Sequence, residues 1–317
     1  MLKQLMSQYP NQVRLVYRNF PVGHTLSNIA IQAAEAAALQ DKYWEMHDIL
    51  FTDYTNWQVW AGKSVTDFTT WVTQQAATLG MDTTKFAADL NSSAIVNKVT
   101  ADSKAAQAIG INSTPSMFVL INNVLYFAPK DQLPVSDLSA IYQLWQLQTR
   151  QFKSCPPVTI NTSKTYTATL TTSKGDIVIE LYPKEAPLTV NAFVFLAQQG
   201  WYNNIPFERV IDGFVAQTGD PTGTLFGSPG FEYGNEIAPS LTLDVAGMVA
   251  MANAGAGTNG SQFFITLAPT PLKYGDFTVF GKVTQGMDVL ADLTRVDPTQ
   301  ANQPTPDTLI SVTITVK

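Results

Sequence analysis

The chain has 317 residues, of which 45% are hydrophobic and 14% charged, and its formal net charge is −6. This composition is typical of a globular protein rather than a disordered one, and the length favours two domains. The acidic balance offers no basic surface for nucleic acid. No run of apolar residues approaches the length of about 20 that is needed to span a bilayer.

The first half of the chain alternates predicted strands and helices. Residues 13–19 predict a strand, and the alanine-rich residues 27–50 predict one helix. Further helices are predicted over 64–79 (capped by Ser64 and ended by Gly80), 82–90, 93–109 (ended by Gly110) and 134–150. A strand–turn–strand over residues 111–127, with Asn122-Asn123 at the turn, precedes the last helix. This order indicates an α/β domain.

The second half of the chain has a different character. Residues 154–165 carry two prolines among Ser, Thr and Asn and predict an extended linker. Two segments of alternating polar and apolar residues flank Ser173-Lys174-Gly175 and predict a β-hairpin. One helix over 187–199 and many short strands with glycine-rich turns follow. The pattern predicts a closed β-barrel with few helices.

Three blocks in the second half carry a family resemblance. They read FERVIDGFVAQTGDPTG (207–223), MVAMANAGAGTNGSQFFITLAP (248–269) and FTVFGKVTQGMDVL (277–290). In order and spacing they resemble the cyclophilin-type peptidyl-prolyl cis/trans isomerases. The resemblance implies a closed barrel with flanking helices over residues 165–317. It also implies isomerisation of Xaa-Pro bonds in unfolded or flexible polypeptides, which assists protein folding.

The chemistry of this reaction explains the residue types. Rotation about an Xaa-Pro bond meets a barrier of about 20 kcal/mol, because amide resonance must be broken. A fixed cation that donates a hydrogen bond to the pyramidal proline nitrogen binds the twisted transition state preferentially, so no metal or cofactor is needed. The resemblance implies that Arg209 is this donor and that Phe214 and Gln217 complete the catalytic set. The implied substrate-binding residues are Val215, Ala252, Asn253, Ala254, Gln262, Phe264, Leu272 and Phe277.

The sequence departs from the family's best-known pattern around this set. Leu272 stands where many eukaryotic members carry tryptophan, Lys273 where a leucine is usual, and Phe277 where a histidine is common. Glu208 replaces the histidine that often precedes the catalytic arginine. Because the Arg/Phe/Gln set is intact, activity is expected, whereas cyclosporin binding is expected to be weak.

One motif in the second half points elsewhere. Residues 255–260 match the dinucleotide fingerprint G-x-G-x-x-G, which must open a helix after a strand. The following SQFFITLA predicts a strand instead, so a tight loop is the favoured interpretation. The single cysteine, Cys155, excludes an intrachain disulfide, and no metal-ligand spacing is present.

Residues 13–150 resemble the DsbA-like branch of the thioredoxin superfamily. The resemblance rests on VRLVYRNFPV, AAEAAALQDKYWEMHDILF and IGINSTPSMFVLINN, and it implies a domain over 1–153 with a helical insertion and a linker over 154–164. Thr114-Pro115 matches the family's cis-proline dipeptide, which implies a peptide-facing loop. The family's first strand and its Cys-x-x-Cys are missing from this sequence.

Two explanations of the missing segment stay open. Met1 is a truncated or misassigned start of a longer fusion of isomerase and disulfide oxidoreductase, or the domain has lost its redox centre and binds peptide or dimerises. Cys155 is interpreted as an exposed thiol. The pairing of the two folds predicts an extracytoplasmic setting in a bacterial cell envelope, where disulfides persist. The alternative function is a non-catalytic peptide-binding or chaperone scaffold.

Overall fold

The computed structural model of the chain describes residues 2–21, 26–52, 64–121, 124–127, 135–270, 272, 275–300 and 302–317. The predicted turn at Asn122-Asn123 and the rim residue Lys273 lie outside the described residues. The chain divides into two compact units, Met1–Ser136 and Asp137–Lys317. The predicted linker over 154–164 therefore falls inside the second unit, and the domain boundaries proposed from sequence stay a prediction.

The first unit is mainly helical. Its elements are α1 (Leu2–Gln8), α2 (Ser27–Ala38), α3 (Tyr43–Phe51), α4 (Val65–Thr78), α5 (Thr83–Leu90), α6 (Ser93–Ala108), β1 (Phe118–Ile121) and β2 (Val124–Phe127). The two strands pair antiparallel. Ser64 begins α4 with a capping box, in which its hydroxyl accepts from the backbone N–H of Asp67 and the Asp67 carboxylate accepts from the backbone N–H of Ser64. The predicted helix starts and the hairpin are confirmed in this unit.

Two sequence predictions in the first unit are wrong. The single helix predicted over 27–50 is divided into α2 and α3, because Asp41 adopts a positive φ of 58° that no helix continues through. The strand predicted over 13–19 has no regular secondary structure. Within the described residues, no strand pairs with the backbone of residues 13–19, as a strand there would require. Side chains tie this segment to the helices instead, through Arg18 with Asp102 and Asn19 with Glu35.

The core of the first unit lies around α2. Small alanine side chains on this helix let its neighbours approach closely, and Ala33, Ala36 and Ala37 are fully buried beside Met46 and Phe86. Farther along the chain, the Thr114–Pro115 peptide bond just before β1 is cis and exposed to solvent.

The second unit is built on a nine-stranded antiparallel sheet. Its elements are α7 (Val135–Leu147, which crosses the unit boundary), β3 (Tyr166–Thr172), β4 (Gly175–Leu181), α8 (Pro187–Gln198), β5 (Ile205–Pro206), β6 (Arg209–Val210), β7 (Val215–Thr218), β8 (Met248–Met251), β9 (Phe263–Thr266), β10 (Val279–Gln285), α9 (Met287–Ala291) and β11 (Thr308–Val316). Spatial order along the sheet is β5-β11-β3-β4-β10-β8-β9-β7-β6.

The sheet is strongly curled. Register shifts in β10, against β4 and again against β8, and in β11 against β3 increase the local twist. The predicted hairpin is confirmed, with Thr172 opposite Gly175 across a two-residue turn. The G-x-G-x-x-G segment is a loop before strand β9, as its sequence context predicts.

Alternation along the strands gives the curled sheet two apolar faces. One face joins α8 and carries the main core, in which the rings of Phe193, Tyr202, Phe263 and Phe280 pack at centroid distances of 5.1 to 6.3 Å. Because successive side chains point to opposite sides of a strand, alternate residues of β7, β8, β9 and β10 lie on the other face and contribute to a second cluster. That cluster comprises Val215, Leu243, Met248, Ala250, Phe264 and Val279. It forms the base of the candidate site.

Candidate active site

A chain of side-chain hydrogen bonds crosses the site. Arg209 Nη1 donates to Gln217 Oε1 at 3.1 Å, and Gln217 Nε2 donates to Gln262 Oε1 at 2.9 Å. Gln262 Nε2 donates in turn to the carbonyl oxygens of Leu225 and Gly227 at 3.1 and 3.0 Å. The guanidinium is thus held in place by two amides and a loop, which is the preorganisation that electrostatic catalysis requires.

The backbone register places these side chains side by side. Arg209 on β6 lies opposite Gln217 on β7, and Gln217 lies opposite Phe264 on β9. At the end of β7, Gly219 has φ +113°, and a Cβ there would lie 2.4 Å from the carbonyl oxygen of Ser261. Only glycine allows β7 and the start of β9 to come this close. Trp201 Nε1 and Ser261 Oγ both donate to the Gly219 carbonyl and fix the approach.

An apolar pocket lies beside the guanidinium. Val215 and Phe264 form its buried base, and Phe214, Leu272 and Phe277 are partly buried around it. The rings of Phe264 and Phe277 meet edge to face, with centroids 5.6 Å apart and an interplanar angle of 85°. Such a pocket accepts a small apolar ring and excludes water from it.

The segment after β8 forms a third side of the site. The Ala252 backbone N–H donates to the Gln262 carbonyl at 2.9 Å. Asn253 Nδ2 donates to the carbonyl oxygen of Asp276 at 2.9 Å and to Asn259 Oδ1 at 3.2 Å. Ala254 is exposed at the rim. The backbone of this segment therefore has a fixed position at the edge of the cavity.

These groups line one cavity of about 450 Å³. It contains every residue that the sequence assigned to the isomerase site, namely Arg209, Phe214, Val215, Gln217, Ala252, Asn253, Ala254, Gln262, Phe264, Leu272 and Phe277. The volume is sufficient for a short extended peptide with one inserted ring. Their common location supports the assignment, although the individual roles remain a proposal.

Sequence reasoning missed a second wall of the cavity. It consists of Leu225, Phe226, Gly227, Ser228, Pro229 and Glu232, which follow the TGDPTG block. Phe226 is 78% exposed, and Leu225 has a positive φ of 70°. The fully buried Asp220 carboxylate anchors this loop by accepting from the backbone N–H groups of Thr222, Thr224 and Gly227. The Gly- and Pro-rich composition predicts a turn here but not the direction in which it projects.

The residue before Arg209, Glu208, has a buried carboxyl group. It is 4% exposed, and both of its oxygens lack a hydrogen-bond partner among the described residues. Burial is the largest effect and raises the pKa of Glu208 well above its ordinary value. The Asp220 carboxylate also raises this pKa, whereas the Arg209 guanidinium and the backbone N–H groups of Glu208 and Asp220, which do not meet full hydrogen-bond geometry, lower it. The folded site therefore favours the protonated, uncharged form of Glu208, which weakens its competition for the guanidinium.

Thr114 and Pro115 lie in the first unit, and their predicted peptide-facing role stays a prediction. Cys155 is a free, exposed thiol whose Sγ lies 3.5 Å from the Glu232 carbonyl oxygen.

Within the described ranges, no group of three or more His, Cys, Asp or Glu side chains is arranged to hold a metal ion. No described helix has both the length and the apolar character to cross a membrane.

Comparison with known proteins decides the family. Residues 167–314 match the family model described as cyclophilin type peptidyl-prolyl cis-trans isomerase. Over 136 residues the chain is 48% identical to peptidyl-prolyl cis-trans isomerase-like 1 of Aspergillus fumigatus, covering 42% of this chain and 84% of that protein. This chain belongs to the cyclophilin-type peptidyl-prolyl cis-trans isomerases. The human isomerase-like 1 is 46% identical over 144 residues, covering 44% of the chain and 87% of that protein.

Two further matches complete the comparison of this cyclophilin. A crystal structure of a Cryptosporidium parvum cyclophilin type isomerase has 32% sequence identity and a TM-score of 0.45, covering 48% of this chain and 98% of that one. Residues 1–138 match a family model described as thioredoxin, so the first unit is a thioredoxin-like region. The predicted recognition of both folds is confirmed.

The predicted setting is wrong. The sequence resemblance suggested a bacterial cell envelope, but the related isomerase-like 1 proteins come from fungi and mammals. These relatives point away from a bacterial envelope protein. The expectation failed because it depended on pairing the isomerase with a disulfide-forming fold, whereas the match to relatives rests on the cyclophilin residues themselves.

Proposed function

We propose that the second unit isomerises Xaa-Pro bonds in unfolded or flexible polypeptides, with Arg209 as the group that stabilises the twisted bond. One observation carries the proposal. The Arg209 guanidinium is held by Gln217 at the edge of an apolar pocket that suits a proline ring. The chemistry needs no more than a fixed donor and a ring-binding pocket.

The arrangement supports a mechanism of differential binding. Phe214, Val215, Phe264, Leu272 and Phe277 hold the proline ring, while the backbone at Ala252, Asn253 and Ala254 pairs with the extended peptide. As the bond twists, the proline nitrogen loses amide conjugation and gains a lone pair. The guanidinium stays protonated and presents several donors in a rigid fork, so one can meet this lone pair. Gln217 and Gln262 restrain the fork and orient the substrate.

The test replaces the donor in two ways. In Arg209→Ala the charged hydrogen bond is lost, and such bonds contribute about 1.5–3 kcal/mol, which corresponds to about 10- to 150-fold in kcat/KM. Arg209→Lys keeps the charge but loses the planar fork, so an intermediate rate is expected. A coupled proteolytic assay on an Xaa-Pro peptide, or exchange spectroscopy at equilibrium, measures both. Wild-type rates in Arg209→Ala would remove the proposed role.

A non-catalytic scaffold that merely holds proline-containing peptides is the second candidate. It is favoured only by the exposed apolar rim, where Phe226 is 78% exposed. The same variants separate the two functions. A scaffold would bind peptide without accelerating isomerisation in the wild type, and substitution of Arg209 would then change affinity alone.

Finer features of the fold are part of the proposal. The sheet is proposed to close into a barrel, because its end strands β5 and β6 belong to one segment, residues 205–210. The first unit is proposed to be DsbA-like, with domain boundaries at 153/154 and 164/165. Its cis Thr114–Pro115 loop is proposed to face extended peptide. Nuclear magnetic resonance shifts of this loop on peptide addition would test that role.

The partners follow from charge and rim chemistry. No nucleic-acid binding is proposed, because the net charge of −6 repels phosphate. Cyclosporin is proposed to bind weakly, because Leu272 and Phe277 present a rim unlike that of the drug-sensitive members. Inhibition of the Xaa-Pro assay by the drug measures this directly.

A further inference from the structure

The segment that precedes β3 packs along the cyclophilin body rather than crossing open solvent. Residues 150–160, here called the strap, belong to the second unit. At its start the Arg150 guanidinium lies 5.3 Å from the centroid of the Trp201 ring, and Nη2 donates to the Trp201 carbonyl at 3.3 Å. The Phe152 ring packs against Phe195 and Phe231, with centroids 4.9 and 6.3 Å away. These contacts anchor the strap to the body of the isomerase.

The strap contacts one loop repeatedly. Phe152 N donates to the Pro229 carbonyl at 2.8 Å, and Gln151 Nε2 donates to the Ser228 carbonyl at 3.1 Å. Farther along, the Cys155 thiol lies 3.5 Å from the Glu232 carbonyl. Ser228, Pro229 and Glu232 all line the substrate cavity. The strap thus forms hydrogen bonds to the backbone of residues that also line one wall of the cavity.

Close approach of the two backbones depends on one glycine. Gly230 has φ +89°, and a Cβ there would lie 2.3 Å from the Phe152 carbonyl oxygen and 2.9 Å from Gln151 Cβ. No L side chain fits between the loop and the strap. At the far end of the strap, the Asn191 side chain on α8 accepts from the backbone N–H of Thr159 and donates to the Pro157 carbonyl. Both ends of the strap are therefore fixed.

We propose that the strap is a positioning element of the isomerase, which holds the wall at 228–232 and thereby sets the affinity for polypeptide substrate. The inference rests on the proposed isomerase function and adds residues outside the 165–317 barrel to its site. Gln262 contacts the loop at Leu225 and Gly227, and Gly227 is held by the Asp220 carboxylate, whereas the strap contacts the loop only farther along, at Ser228, Pro229 and Glu232. Displacing the strap therefore changes KM and leaves kcat nearly constant.

The experiment uses the full chain and two glycine variants. Gly230→Ala forces the loop and the strap apart, whereas Gly234→Ala, in the same loop, adds a Cβ that meets nothing within 4 Å. Gln151→Ala removes only the bond to Ser228 and guards against a folding defect in Gly230→Ala. Because Cys155 is the only cysteine of the chain, its rate of reaction with a chromogenic disulfide reagent reports movement of the strap.

The expected results separate positioning from general damage. Gly230→Ala raises KM for an Xaa-Pro peptide about fivefold, which corresponds to the free energy of roughly one hydrogen bond. The same variant keeps kcat within about twofold of the wild type and speeds the reaction of the Cys155 thiol. Gln151→Ala shifts KM in the same direction by less, and Gly234→Ala matches the wild type. Unchanged KM in both Gly230→Ala and Gln151→Ala overturns the inference, as does an equal rise in Gly234→Ala. An inactive wild type would refute the isomerase function instead.

Discussion

Replacing Glu208 with glutamine should remove a pH dependence from the stability of the cyclophilin unit. The carboxyl is 4% exposed, and burial raises its pKa well above the ordinary value of 4.5. The folded protein therefore keeps the proton while the unfolded chain releases it above about pH 4.5. The contribution of Glu208 to stability is full below that pH and is progressively lost as pH rises towards the folded pKa.

The size of the effect follows from proton linkage. One proton held only by the folded state lowers the free energy of unfolding by up to about 1.36 kcal/mol per pH unit. The glutamine in Glu208→Gln is nearly isosteric and does not titrate. The free energy of unfolding of the variant therefore rises relative to that of the wild type, by up to about 2.7 kcal/mol between pH 5.5 and 7.5. Any hydrogen bond that the amide gains or loses gives an offset independent of pH. The slope, rather than the offset, is the readout.

Urea unfolding at a series of pH values, followed by the residual isomerase activity, measures this slope. Activity reports the second unit alone, which avoids a composite transition of the two units. The reasoning is refuted if the stability difference between variant and wild type is the same at pH 5.5 and 7.5. Such a constant difference would show that Glu208 is ionised in the folded as well as the unfolded protein over this pH range.

Two other substitutions test how the sequence builds the two units. Gly219→Ala places a Cβ 2.4 Å from the Ser261 carbonyl at φ +113°, so it should lower both the melting temperature and kcat/KM; normal activity would mean that β7 and β9 tolerate separation. Ser64→Ala removes the capping box of α4 and should destabilise the first unit by about 1 kcal/mol with no change in isomerase activity. Chemical denaturation followed by helical circular dichroism checks the second expectation, which an unchanged midpoint would contradict.

Local rules predicted the elements whose causes are local. Ser64 precedes an apolar period with Asp67 three residues on, so the start of α4 is readable from the sequence. The turn at Ser173-Lys174 lies between two alternating segments and gives the hairpin its register. The set of Arg209, Phe214 and Gln217 was proposed from the spacing of the family's motif, and strand alternation added that Val215 and Gln217 share a face.

Features set by tertiary contacts could not be predicted in this way. The break between α2 and α3 at Asp41 lies inside an unbroken run of helix-favouring residues. Residues 13–19 have strand-like composition, yet their backbone conformation depends on a neighbouring strand that local pattern cannot supply. Residues 154–164 were predicted to be an extended linker from their prolines and hydroxyl residues. Nothing in the sequence indicates that Gln151 and Phe152, just before it, pack on a loop distant in sequence.

The hydrogen-bond chain through the active site has a fixed polarity, which originates at its cationic end. An arginine can only donate, so the Gln217 amide must turn its oxygen towards Arg209 and its nitrogen towards Gln262. Gln262 in turn donates from its own Nε2 to the carbonyl oxygens of Leu225 and Gly227. Reversing one amide would set two donors or two acceptors against each other at the next junction.

Substitution of an isosteric group is therefore not neutral at either glutamine. A glutamate in place of Gln262 would still accept from Gln217 but would present only acceptors to the two loop carbonyls, and the repulsion there would displace the side chain that holds Gln217. The orientation of Arg209, the proposed donor, therefore depends on loop contacts that lie two side chains away from it.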